Sequence, residues 1–321
     1  MPSPSLIHCG DLQWVGRQNM NKTVTTVDNH LIGTCYAFAA FTSWGLLPLY
    51  WKLLKQIPSA EILAHRIFWS FVVVSGLLIM KGQWDGYKRT IAIKAHRIPL
   101  LVSTSLVSLN WFVYIWAVNA NHIVEASMGY YINPLFSVFL GVVVLRERLN
   151  RLQWVALGLA ATGVLILAVT YGKFPWIAFT LALTFGLYGL SKKMAAVDSL
   201  IGFGLETAMI TPLCLGYIMV KQSQGLGSFG TISPTITLLL ILSGIVTAYP
   251  MIWFSQAAKK IPLSKVGFIQ YVAPTISLMI GVLIFHEPFT IVHLVSFGCI
   301  WSALALYSLS HTSLLRSPDA F

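Results

Sequence analysis

YYINPLFSVFLGVVVLRERL at residues 130–149 lies over QYVAPTISLMIGVLIFHEPF at residues 270–289 with a constant shift of 140 positions. Tyr131 meets Tyr271, Pro134 meets Pro274, Ser137 meets Ser277, Gly141 meets Gly281, Val142 meets Val282 and Glu147 meets Glu287. In the same register Gly158 falls on Gly298, and one residue further Trp44-Gly45 falls on Phe185-Gly186. A duplication of this length covers most of the 321 residues.

The repeated unit is built from apolar stretches. Hydrophobic residues make up 56% of the chain and charged residues 10%, against about 25% charged in soluble domains. A run of about 20 apolar residues crosses a hydrocarbon core of about 30 Å. Ten such spans are expected, over Leu31–Leu54, Ser59–Met80, Ile98–Val118, Val124–Leu145, Leu152–Thr170, Pro175–Ser191, Ser199–Val220, Thr235–Ala258, Leu263–Phe285 and Ile291–Ser310. Lipid offers backbone groups no partner, and barrel strands would be about ten residues long with strict alternation, so the spans must be helices. The expected fold is an all-α integral membrane protein, with a tail at 1–30, five-helix repeats at 31–170 and 171–310, and a tail at 311–321. Met20 offers an alternative start. With five helices per repeat the second copy must enter the bilayer from the other side, the inverted plan of many secondary transporters.

Charge placement points the same way. The net charge is +11, but the cations are sorted rather than patched. With the N-terminus inside, Lys and Arg collect in the tails and around residues 81–97, 146–151, 192–193 and 259–265, while only Lys52, Lys55, Lys173 and Lys221 lie outside and Arg66 lies within a span. RERLNR after the fourth span is basic and its copy HEPFTI is not; NANHI after the third is neutral and its copy KKIPLSK is basic. This sorting places both termini in the cytoplasm. It makes the basic excess a topology signal instead of a nucleic-acid surface, with the segment Lys81–Arg97 a landing place for anionic lipid.

Cys9, Cys35, Cys214 and Cys299 show no metal-ligand spacing and read as packing residues. GLGSFG at 225–230 has no strand before it and reads as a flexible turn rather than a nucleotide loop. HEPFT at 286–290 lacks the second histidine of a zinc motif, and no GxSxG occurs. No catalytic set, metal or cofactor is expected.

The charged stretch EILAHRIFWS at 61–70 opens the second span. A rise of 1.5 Å per residue from Ser59 places Glu61 about 3 Å, His65 about 9 Å and Arg66 about 10 Å into the core. An arginine at that depth costs on the order of 2 to 3 kcal/mol unless it snorkels or meets a wet interior. Glu61 and His65 share a helix face, which makes a balanced cluster with Arg66 one expectation and a first-turn acid on the helix dipole another. Glu206 lies at the mirrored depth in the seventh span, too far for a direct pair with Arg66, so each half holds its own buried charge. A structural role and a proton-coupling role are both open for these residues. The third, fourth, eighth and ninth spans carry Asn110, Trp111, Tyr131, Asn133, Tyr249, Gln270 and Tyr271, with Pro134, Pro250 and Pro274 as kink sites. These residues suit the wall of a polar pocket, or ordinary helix packing glued by amides.

EILAHRIFWS, NWFVYIWAVNANHIVEASMGYYINPL and TAYPMIWFSQAAKKIPLSKVGFIQYVAPT together resemble the RarD-type branch of the EamA transporters, in the drug/metabolite transporter superfamily. The resemblance implies two inverted EamA repeats, a bacterial inner membrane, and a central cavity walled by the third, fourth, eighth and ninth helices. The expected activity is secondary export of a small organic metabolite or drug-like molecule by alternating access, with a passive channel as the alternative reading. Possible proton coupling would use Glu61, His65 and Glu206; the substrate and the oligomeric state stay open.

Overall fold

Helix is the only regular structure among the described residues, as burial of backbone in lipid requires. The computed structural model describes residues 9–120, 122–286 and 289–310, with side chains from residue 28 onward except those of 119 and 123. Glu287, the tail 311–321 and the side chain of Cys9 lie outside that set. The elements are α1 (Cys9–Leu53), α2 (Ser59–Met80), α3 (Trp84–Ala92), α4 (Lys94–Asn119), α5 (Ile123–Val143), α6 (Arg151–Tyr171), α7 (Trp176–Met194), α8 (Ser199–Ser223), α9 (Pro234–Lys260), α10 (Leu263–Gln270), α11 (Val272–Leu283) and α12 (Ile291–Leu309).

Several starts are written in the sequence. Asn150 and Gln153 form a capping box on α6, Asp198 accepts from the amides of Leu200 and Ile201 on α8, Ser233 caps α9 ahead of Pro234, and Thr290 with His293 caps α12. Each satisfies amides that water would otherwise have to reach.

Nine helices among the described residues are long and apolar enough to cross a membrane, with Leu263–Leu283 counted as one despite its interruption. The sequence reading expects ten. The difference is α7, a 19-residue helix with Lys192 and Lys193 in its last turn, which lower its hydropathy although it packs along α4 and α5. Three further departures have local causes. The first helix continues back to Cys9 through the stretch read as a tail. The loop 81–97 folds into the short amphipathic α3, whose Trp84 and Tyr87 rings stack 5.1 Å apart. The ninth span breaks at Tyr271, next to the Gln270 carbonyl that Pro274 cannot bond because it has no N–H. Pro134 and Pro250 sit inside unbroken helices.

One turn recurs. At the end of α5 the amides of Val144 and Leu145 both bond to the Leu140 carbonyl, and Arg146 then adopts φ 55°. At the end of α11 the amides of Ile284 and Phe285 both bond to the Ile280 carbonyl, and His286 adopts φ 55°. These positions are 140 residues apart, the shift of the sequence repeat.

The outside is strongly apolar, and the inside mixes large apolar side chains such as Phe41, Phe203 and Phe254 with small and polar ones. Phe112, Val169, Leu213 and Ile291 are each more than 60% exposed, a surface that fits acyl chains. Ala37, Ala40, Ala156 and Ala160 are fully buried, as are Ser70, Ser243 and Ser255, so backbones approach closely. The tightest approach joins α2 to α9, where a Cβ on Gly244 would stand 2.3 Å from the Trp69 carbonyl carbon. The Ser70 hydroxyl bonds across this seam to the Gly244 carbonyl at 3.1 Å.

Helix direction alternates, so loops fall at two ends. One end, here the Pro58 end, holds the loops 54–58 and 224–233, which meet where Glu61 binds Ser228. The other, the Asp198 end, holds the loops 144–150 and 261–262, which meet where Glu147 accepts from the amides of Leu263 and Ser264 at 2.7 and 2.8 Å. Because Gly244 has no room for a methyl, Gly244→Ala should cost about 1–3 kcal/mol of stability, whereas Gly216→Ala, with nothing within 4 Å, should not. Equilibrium unfolding of both variants in mixed micelles checks this.

Candidate functional site

Among the described residues, cavities enter the bundle from both ends. At the Pro58 end a cavity of ≈ 200 Å³ is lined by Trp51 of α1, Ser59, Leu63 and Arg66 of α2, Tyr114 of α4, and Lys55 between α1 and α2. At the Asp198 end a cavity of ≈ 250 Å³ is lined by Ser103 of α4, Lys192 of α7, Glu206 of α8, Ser255 and Lys259 of α9, and Asp198.

Arg66 sits about two turns into α2, at a depth of about 10 Å from the helix start. Its guanidinium carbon lies 5.2 Å from the ring centre of Trp51 and 5.5 Å from that of Trp111, and its Nε donates to the Thr247 hydroxyl at 3.2 Å. Cation–π contacts of this kind contribute about 0.5–2 kcal/mol each, more where water is excluded. Arg66 thus joins α2 to α9 three residues from the Gly244 contact.

Glu61 and His65 do not join Arg66 in a cluster; they face the loop before α9. Glu61 is 2% exposed and accepts from the Ser228 amide at 2.6 Å and the Ser228 hydroxyl at 2.9 Å. The His65 ring stacks on Phe229 at 5.2 Å and 19°, with Nε2 4.0 Å from Glu61. The split follows from helix geometry, since Arg66 is turned about 100° from His65. The GLGSFG turn is therefore not merely a flexible link: Gly227 and Ser228 are buried, and the turn is bolted to the start of α2.

Glu206 has a fuller set of partners than the sequence suggests. Lys192 Nζ lies 2.5 Å from its Oε1, the Ser103 hydroxyl donates to the same oxygen, and the Tyr188 hydroxyl donates to Oε2 at 3.0 Å. Lys192 is 4% exposed and Glu206 1%, so Lys192 is not the loop cation that charge sorting makes of it. Tyr188 and Lys192 are four residues apart on one face of α7, which is the signal that could have identified the pair. Lys259 donates to the Val197 carbonyl at the mouth of this cavity.

The remaining candidates lie in helix contacts. Asn110 donates to the Leu181 carbonyl and the Thr184 hydroxyl, each at 2.9 Å, bolting α4 to α7. Trp111 is buried beneath Arg66. Tyr131 packs edge-on against Phe297 of α12. Gln270 accepts from Ser137 at 3.2 Å between α10 and α5. Asn133 is buried with its Oδ1 unpartnered, and Tyr271 is buried with its hydroxyl unpartnered. Tyr249 is 37% exposed beside Trp253. Of these, Trp111 approaches a cavity group, and the two cavities are walled by residues of α1, α2, α4, α7, α8 and α9, of which α4 and α9 are among the four helices the resemblance implies. Among the described residues no three of His, Cys, Asp and Glu are grouped to hold a metal.

A bundle of apolar helices entered from both ends by cavities with ionic floors is the build of a membrane transporter. The EamA-like transporter family model matches residues 31–169 and again 174–309, and the chain belongs to that family. It is 48% identical to the uncharacterized transporter YojE of Bacillus subtilis over 89% of this chain and 96% of that one. It is 43% identical to the protein RarD of Streptomyces exfoliatus, over 85% of this chain and 87% of that one. It is 39% identical to the protein RarD of Escherichia coli strain K12, over 86% and 93%. A solved crystal structure overlays 86% of this chain and 96% of its own with a TM-score of 0.67 at 18% identity, a likeness of fold. The chain is thus a RarD-type EamA transporter.

Breaking a buried ion pair by removing one partner costs about 3–5 kcal/mol. Lys192→Met should therefore destabilise the protein by about that amount, and adding Glu206→Gln should restore most of it. Unfolding of the single and double variants measures the coupling.

Proposed function

We propose that the protein is a secondary transporter that moves a small organic molecule across the bacterial inner membrane by alternating access between two inverted five-helix halves. The observation that carries this reading is an asymmetry between equivalent contacts. A shift of about 140 residues sends α2 to α8 and α4 to α9, so the pair α2–α9 corresponds to α8–α4. The first pair is closed, with Gly244 on the Trp69 backbone. The second meets more sparsely and holds the Asp198-end cavity between its helices. Exchanging the two packings would close one side and open the other, the motion inverted repeats allow.

The Pro58 end is read as external because basic residues collect at the other end, with both termini cytoplasmic and export as the working direction. Glu206 is the candidate proton carrier, since its partner Lys192 and its cavity lie on the side where a proton would be exchanged. Glu61 and His65, held by the 227–229 turn, fit better as an external latch. A passive channel is the alternative, and counterflow separates the two. Proteoliposomes preloaded with a transported solute should take up labelled solute faster than empty ones; uptake indifferent to internal solute would mark a channel. Glu206→Gln should keep counterflow while losing accumulation driven by a pH gradient, measured with the same vesicles.

A further inference from the structure

Resting on that transport reading, we propose that the cavity at the Pro58 end is an anion site, and that it takes a small organic carboxylate with a flat apolar body, the carboxylate on Arg66. Charge is the first ground. The polar groups lining the cavity include Lys55, Ser59, Arg66 and Tyr114, and among the described residues no acid lines it. The cavity at the other end differs, for there Glu206 and Asp198 offset Lys192 and Lys259.

The second ground is that the four described glutamates are engaged elsewhere, the last two of them at the Asp198 end. Glu61 is held by the Ser228 amide and hydroxyl. Glu125 accepts from the Ile177 amide at 2.7 Å and the Tyr171 hydroxyl at 3.1 Å. Glu147 caps α10, and Glu206 is paired with Lys192. The close ion pair among the described residues is Lys192–Glu206, and Glu61 has His65 Nε2 at 4.0 Å; neither contact includes Arg66. A cation in this medium without a carboxylate is costly, and a bound anion removes that cost.

Geometry is the third ground. Trp51 and Trp111 take up the guanidinium against their ring faces, and Nε is spent on Thr247. Among the described residues the terminal N–H fork makes no hydrogen bond, although Tyr114 and Tyr130 lie near it, and this fork is the edge that pairs bidentately with a carboxylate. The aromatic and aliphatic walls of Trp51, Leu63 and Tyr114 suit a flat apolar body. A volume of ≈ 200 Å³ is below the roughly 300–1,000 Å³ of drug-sized sites, which restricts the ligand to small solutes.

The test titrates the full chain in zwitterionic nanodiscs with benzoate, phenylacetate, benzamide and benzylamine, following tryptophan emission. The two carboxylates should bind at least about tenfold tighter than the neutral amide and the amine. Arg66→Lys keeps the charge but loses the fork and should weaken benzoate by about tenfold. Arg66→Gln should erase the preference for carboxylates. Lys55→Gln, an exposed change that spares the fold, should weaken both carboxylates and leave benzamide unmoved. Equal binding of benzamide and benzoate, a preference that survives Arg66→Gln, no binding of any probe, or displacement of benzoate by equimolar chloride or phosphate would each overturn the assignment. Counterflow in the same preparations separates the two readings. Arg66-dependent binding without exchange leaves the anion site standing and removes the transporter; exchange of neutral solutes with no preference for carboxylates does the reverse.

Discussion

A bilayer interior supplies no hydrogen-bond partner, so each polar group carried into it must find one in the protein. That constraint orders the structure. It makes every span a helix, and it sends Glu61, Glu125 and Glu147 to the amides of Ser228, Ile177 and Leu263, where each joins one helix end to a distant segment. It also gathers Ser103, Tyr188 and Lys192 around Glu206. Carboxylates thus serve as internal fasteners, and the bundle is held at its ends and at one ionic knot. Among the charged side chains Arg66 is the exception, a cation with aromatic faces and a hydroxyl in place of a carboxylate. The exception lies in a cavity, where solvent or a solute can complete it.

The fasteners also divide the molecule into a closed seam and a looser one. Between α2 and α9, Gly244, Ser70 and Thr247 bring backbones together and leave no room to hinge without parting. Between α4 and α8 the direct link is the Ser103 hydroxyl on Glu206, together with a weaker contact from Thr104 to the Met209 sulfur. Hydroxyl contacts exchange with water at little cost once a cavity is wet. Under the proposed alternating access these are the two seams that trade places, and the charged floors of both cavities stand beside them.

Much of this was legible in the sequence. The spans follow from hydropathy, and the repeat that matched Pro134 to Pro274 reappears as the shared turn at Arg146 and His286. Arg66 stood out because its burial has a known cost. What could not be read was direction around each helix. Asn110, Tyr131, Gln270 and Tyr271 look like pocket residues by composition but face neighbouring helices, since amides serve packing and binding alike. Lys192 was hidden by Lys193 beside it, one turned to Glu206 and the other to the carbonyls of Ala258 and Ile261. Gly244 left no trace, because a close approach depends on the partner helix and not on its own neighbours. The loop glycines 225–230 look like a spacer until Ser228 is placed against Glu61, 167 positions away.

Spin labels at the exposed positions Ala95 and Met194 at the Asp198 end, and at Gln56 and Thr235 at the Pro58 end, test the exchange of seams most directly. Pulsed electron resonance in nanodiscs should give two distances for each pair, with the shorter one growing at one end as the longer one grows at the other when solute is added. A single fixed distance at both ends, or both ends widening together, would contradict the account.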